Sequence, residues 1–205
     1  MTAEDWDRRY RDAARDHGLV WSPGPNRTVE ELLTDRTPGT AIDLGAGEGR
    51  HALWLASRGW TVTAVDFSRV ALDQGRTLEG DGPGGVEWVA ADVTAWGPPA
   101  PVDLVLVAYL HLASGPLTEV LGRLPDWVAP GGTLLVLGHD RDNLSQGVGG
   151  PQDPDVLYSP ALLEEPARAA NLHVERCERI RRPVEKDGRQ AHAIDTVLLA
   201  RRPRD

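Results

Sequence analysis

The densest run of chemistry-bearing residues is "DLGAGEGR", Asp43 to Arg50, where Gly45, Gly47 and Gly49 alternate directly after an acid. Glycines spaced this way let backbone amides come close to a ligand. Such a turn can seat a pyrophosphate at a helix N-terminus. The dinucleotide fingerprint is G-x-G-x-x-G, however, and Arg50 stands at the position that would complete it. An acid at the mouth of the turn repels phosphate and favours a ligand with a positive amino group.

Two more acids recur at comparable places. Asp66 follows the apolar run "TVTAV", where a carboxylate can accept hydrogen bonds from both hydroxyls of a ribose. Both nucleotide classes use such an acid, so Asp66 alone does not discriminate, and it could equally cap the next helix. Asp92, in "AADV", could accept from an adenine amino group while the amide of Val93 meets the ring; the alternative is a capped turn. S-adenosylmethionine, with an ammonium, a sulfonium and no phosphate, satisfies all three positions. Of six histidines, His111 and His139 fall at strand ends, where either could serve as a general base. "HDRDN" (139–143) could gather magnesium, but it reads as readily as a charged loop start, so no metal is expected.

Those residues need a scaffold to hold them. Short apolar runs at 40–44, 61–67, 86–93, 102–110 and 133–139 read as strands, and helical stretches at 48–59, 68–80 and 115–132 alternate with them. Strands of this kind imply a parallel sheet covered on both faces, a doubly wound, Rossmann-like α/β fold. After it come a Gly/Pro-rich loop (140–158), a helix, and two strands joined by "KDGR", a hairpin signal. The first 35 residues read as two helices around "WSPGPN", the second capped by Asn26 or Thr28. The 205 residues suit one domain.

Composition narrows the function. A net charge of -9 disfavours a nucleic-acid scaffold, and the short cluster Arg179, Arg181 and Arg182 reads as a solvated face. There is no apolar run of membrane-spanning length and no secretory pattern; with a lone Cys177, a cytoplasmic protein is expected. Trp54, Trp88 and Trp127 read as packing residues.

"AIDLGAGEGRHALWLASRGWTVTAVDFS" resembles the first two motifs of the class I S-adenosylmethionine-dependent methyltransferases, and "VEWVAADV", "DLVLVAYLHL" and "LPDWVAPGGTLLVLG" resemble later ones. Within that class the chain is most similar to small bacterial enzymes of the tellurite-resistance and thiopurine-methylating types, with "WDRRY" and "VWSPGPN" matching loosely. The resemblance implies S-adenosyl-L-methionine as cofactor and S-adenosyl-L-homocysteine as product. It implies that Asp43, Gly45, Ala46 and Gly47 hold the methionine end, Asp66 and Phe67 the ribose and an adenine face, and Asp92 and Val93 the base. Ala108 to His111 would wall the transferable methyl, with Tyr109 on the substrate side. Trp6 and Tyr10 would fold over the cofactor as a lid within residues 1–35, assisted by Arg9 or Trp21. Apart from the resemblance, loop 140–158, with the hinge glycines of "GVGGPQ" and with Gln152 and Tyr158, is a candidate cover for a small-molecule O, N or S acceptor, a plain surface loop being the alternative. A nicotinamide-dependent oxidoreductase and a non-catalytic S-adenosylmethionine-binding protein remain as alternatives.

Overall fold

A computed structural model describes residues 3–16, 18–21, 24–80, 85–186 and 188–204. His17 and Asp187 of the "KDGR" turn lie outside them. The chain divides into two compact units, Met1–Gly97 and Pro98–Asp205, where the sequence reads as one domain. Each is described by itself.

The first unit opens with α1 (Ala3–Asp16) and α2 (Arg27–Leu33). Asn26, not Thr28, caps α2, its side chain accepting from the Thr28 amide at 2.9 Å. Then β1 (Thr40–Leu44), α3 (Arg50–Ser57), β2 (Thr61–Asp66), α4 (Arg69–Glu79) and β3 (Val86–Ala90) alternate as expected. The three strands pair in parallel, in the order β3-β2-β1. Parallel pairing aligns Asp43 with Ala64 and Leu44 with Val65, so the ends of β1 and β2 come out side by side. β1 and β2 therefore bring Asp43, the last residue but one of β1, and Asp66, the last of β2, to the same edge. β3 stops at Ala90, three residues short of the run's end, because Asp92 turns the chain.

One packing detail shapes this unit. The Trp88 indole donates to Glu79 Oε2 at 2.8 Å, and the edge of its six-membered ring lies against two glycines. A Cβ at Gly49 would stand 2.2 Å from that ring, and one at Gly75, inside α4, 2.4 Å. Both positions need glycine for the ring to sit there.

The second unit holds β4 (Val102–Ala108), α5 (Ser114–Arg123), β5 (Val128–His139), α6 (Asn143–Gln146), α7 (Pro160–Ala169), β6 (His173–Lys186) and β7 (Arg189–Arg201). β4 and β5 are parallel; β7 runs antiparallel to β5 and to β6, which gives the terminal hairpin. Leu104–Val107, Leu134–Leu137 and Val197–Ala200 fill its core. Loop 140–158 is more structured than its composition suggests. It contains α6 and a 3-10 turn at Pro154–Val156, and Asp140 bridges to Tyr158. No helix among the described residues is long and apolar enough to cross a membrane.

Candidate functional site

In the first unit Gly45, Gly47 and Gly49 take φ values of 75°, 57° and 76°. This left-handed backbone costs an L side chain on the order of 1 kcal/mol or more. At Gly47 space is also closed, since an added Cβ would lie 2.7 Å from the Tyr10 hydroxyl. The turn is anchored from below: Gly45 and Ala46 donate to the Val65 carbonyl, and the Gly47 amide donates to Asp66 Oδ2 at 2.9 Å.

Three buried carboxylates ring this turn. Asp43 is 1 % exposed and accepts from the Ala52 amide at 3.1 Å. Burial pushes its carboxyl up to about 7, opposed in part by the Ala52 hydrogen bond and the Arg50 charge. That shift sets roughly 4 kcal/mol against ionisation at this site. Asp66 accepts from the Ser68 amide as well as from Gly47, and burial raises its pKa too. Glu48 accepts from the amides of Val20 and Trp21. A pyrophosphate would meet carboxyl groups here that resist any further negative charge, whereas a cationic ligand would favour their ionisation. The donor set fits an ammonium- or sulfonium-bearing nucleoside.

The aromatic residues of the expected lid gather over the turn. Tyr10 is 4 % exposed, and its hydroxyl accepts from Trp21 Nε1 at 3.4 Å. Trp6 stacks on Tyr10 at 5.8 Å, and the Arg9 guanidinium lies 5.0 Å from the Trp6 ring and 5.3 Å from the Trp21 ring. α1 docks on α4 through Ser68 donating to Asp7 and Gln74 donating to the Tyr10 carbonyl. Glu48, which ties segment 20–21 to the glycine turn, was not singled out in the sequence, where it reads as a helix-start acid. Asp92 is exposed, with Oδ1 accepting from the amide and hydroxyl of Thr94, so it caps its own turn. Val93 beside it is 1 % exposed, and Phe67 is half-buried. His51 is structural: burial lowers it to about 3, and the neutral ring accepts from the Asn26 amide.

The second unit centres on an acid that was not singled out in the sequence. Asp195, in β7, is 0 % exposed and accepts from the Tyr109 hydroxyl and from Arg182 Nε, each at 2.8 Å. His139 Nδ1 stands 3.1 Å from its other oxygen. Burial alone would raise the Asp195 pKa, but His139 and Arg182 outweigh it and hold the carboxyl below its ordinary value. Tyr109, at φ 60°, brings its ring 4.9 Å from His139, and the His111 ring lies parallel to His139 at 5.9 Å. The structure thus brings Tyr109, His111 and His139 together, with Ala108 leading into them.

Other expectations need correction. Tyr158 does not present its hydroxyl to a substrate: it is 0 % exposed, donates to the Leu110 carbonyl at 2.7 Å and packs against Gly138. Gln152 needs no such correction: it is exposed and donates to the Gly150 carbonyl. Of the arginine cluster, Arg179 and Arg181 are exposed, as on a solvated face, though Arg179 also pairs with Asp140 and Asp142; Arg182 departs from that expectation, being half-buried and paired with Asp195. Asp140 is likewise no charged loop start, being 0 % exposed and also accepting from the Thr196 hydroxyl. Among the described residues no group of three or more His, Cys, Asp or Glu could hold a metal ion.

With this geometry in hand, residues 41–132 match the methyltransferase domain family. The chain is 34 % identical over 125 residues to a trans-aconitate 2-methyltransferase of Azoarcus, an alignment covering 58 % of this chain and 47 % of that one. It spans about half the length of the curated relatives it matches. Among solved structures, TehB from Haemophilus influenzae superposes with a TM-score of 0.75 at 16 % identity, covering 95 % of this chain and 67 % of that one. A Burkholderia thailandensis 1,6-didemethyltoxoflavin-N1-methyltransferase, bound to 1,6-didemethyltoxoflavin and S-adenosylhomocysteine, superposes with a TM-score of 0.68 at 21 % identity, covering 98 % and 87 %. These structural likenesses establish the fold, a doubly wound α/β sheet with a terminal antiparallel hairpin.

Proposed function

We propose that this chain carries a class I S-adenosylmethionine-dependent methyltransferase domain and transfers a methyl group from that cofactor to an O, N or S atom of a small molecule, a reading supported by the family match and the shared fold. The observation that carries this reading is the glycine turn ringed by buried Asp43, Glu48 and Asp66 beneath Tyr10 and Trp21. Asp43, Gly45, Ala46 and Gly47 would hold the cationic amino-acid end, and Asp66 with Phe67 the ribose and one adenine face. Asp92 and Val93 would hold the base, while Trp6 and Tyr10 exclude water. When bound, the cofactor supplies a carbon made electrophilic by its sulfonium.

The protein's own task is to align the acceptor with that carbon, and such positioning can supply ~7–11 kcal/mol of a barrier. Ala108, Tyr109 and Gln152 are assigned to the acceptor side, with His111 and His139 available to take a proton. The names of the Azoarcus and Burkholderia proteins refer to small-molecule acceptors, which supports the same class here. The lone Cys177 suits a reducing cytoplasm. Calorimetric titration with S-adenosylmethionine, S-adenosylhomocysteine and NAD tests the reading. Binding of both adenosyl ligands but not NAD, lost in Asp66→Ala, is expected; binding of NAD alone would return the turn to the dinucleotide enzymes.

A further inference from the structure

His139, Gly149, Gly150, Arg182, Val184 and Ala193 border a cavity of about 330 Å³, of a size for a small ligand. One wall is the His139 ring, backed by Gly150: a Cβ there would lie 2.9 Å from the imidazole, and its φ of 72° already suits glycine. Behind the ring lies Asp195. Among the described residues neither His139 Nδ1 nor Asp195 Oδ1 has a well-aligned hydrogen-bond partner, yet both are buried and stand 3.1 Å apart. A buried carboxylate and a ring nitrogen at this distance need only a small rotation to bond directly. The remaining Asp195 oxygen is already taken by Tyr109 and Arg182, which keeps the carboxylate charged.

We propose that Asp195 is the positioning residue of a proton-accepting pair with His139, and that the cavity takes an acceptor whose nucleophile still carries its proton, a hydroxyl or weakly acidic N–H. This rests on the methyl-transfer reading above. Held at Nδ1 by Asp195, the neutral imidazole keeps its proton there and offers the Nε2 lone pair. The groups that face the ring are Asp195, Tyr109 and His111, with Arg182, Glu185 and Lys186 on the same cavity. Arg182 balances Asp195, and Lys186 balances Glu185, so the lining suits an uncharged acceptor. A thiolate needs no base, and nothing in this wall would be used by one. In turnover the acceptor's proton passes to Nε2 as its lone pair forms the new bond to carbon. The carbon–sulfur bonding pair leaves with sulfur, and the imidazolium then releases the proton to water.

The test is nitrogen-15 imidazole NMR of the protein loaded with S-adenosylhomocysteine, at a pH above the histidine titration range. The expected result is His139 protonated at Nδ1, with added phenol shifting its ring signals. In Asp195→Asn the ring should lose its preference for the Nδ1 proton, because the amide can donate to that nitrogen. A proton on Nε2, ring signals unmoved by phenol, or an unchanged tautomer in Asp195→Asn would overturn the proposal. The tautomer and phenol arms use the wild-type protein, so they decide even where Asp195→Asn does not fold. Failure to bind S-adenosylhomocysteine would count against the cofactor reading instead, and the same two arms on the unloaded protein would still judge the pair.

Discussion

Asp43 and Asp195 are equally buried carboxylates that meet burial in opposite ways. Asp43, in the first unit, has one backbone amide and the more distant Arg50 charge for support, and its carboxyl rises to about 7. Asp195, in the second, is held by a tyrosine hydroxyl, a guanidinium and a histidine, and stays below its ordinary pKa. The difference separates two uses of a buried acid. Where support is thin, ionisation is left for a cationic ligand to complete. Where support is full, the charge is already spent on neighbours and acts only through them.

The largest effect that would break this contrast concerns the thinly supported side. Asp66→Ala removes the acceptor for the Gly47 and Ser68 amides, and should weaken S-adenosylhomocysteine about 100-fold by calorimetry, near 3 kcal/mol. Retained affinity would mean the acids of the turn do not hold the ligand. On the fully supported side, Arg182→Met strands the buried Asp195 charge and should cost about 3 kcal/mol, a fall in Tm of roughly 6–12 °C by calorimetric scanning. An unchanged Tm would show that Arg182 contributes no net support.

The contrast sharpens with pH. Asp43 ionises above about 4 in the unfolded chain but near 7 when folded, so it subtracts stability as pH rises between those values. A ligand that recruits the carboxylate should therefore bind up to about tenfold more weakly for each pH unit below 7, as titrations across pH would show. A flat profile would detach Asp43 from binding. Deleting residues 1–20 removes Trp6 and Tyr10 and should weaken the same ligand about tenfold, with far-UV circular dichroism still showing the strands. The smallest expected effect is that of EDTA, which should leave turnover within about twofold, since Asp140 is already satisfied by Arg179 and Thr196.

How far these acids were legible in the sequence depends on the range of their contacts. Asp43 and Asp66 end apolar strand runs, and the expected bounds of β1 match the structure residue for residue because turn glycines follow at once. Asp195 gave one signal only, a lone charge within "AIDTVLLA". Its meaning lies in strand register: Asp195 faces Ile180 and Arg182 faces Ala193 across the hairpin, so the two charges are diagonal neighbours. No local pattern encodes that diagonal. The same reason hid Arg179 on Asp140 and the burial of Tyr158, whose partners lie 39 and 48 residues away.

The Trp88 ring over Gly49 and Gly75 carries a consequence for how this sequence can change. Alanine in place of an exposed mid-helix glycine ordinarily stabilises by about 0.5–1 kcal/mol. At Gly75 the added methyl would meet the indole at 2.4 Å, so the sign reverses while Trp88 is present. Shrinking Trp88 first would remove the severest of these clashes and leave the Glu48 carbonyl, at 3.0 Å, as the remaining close neighbour of the buried Gly75. The order in which such substitutions arrive decides which survive, making this tryptophan a ratchet on the history of the helix beside it.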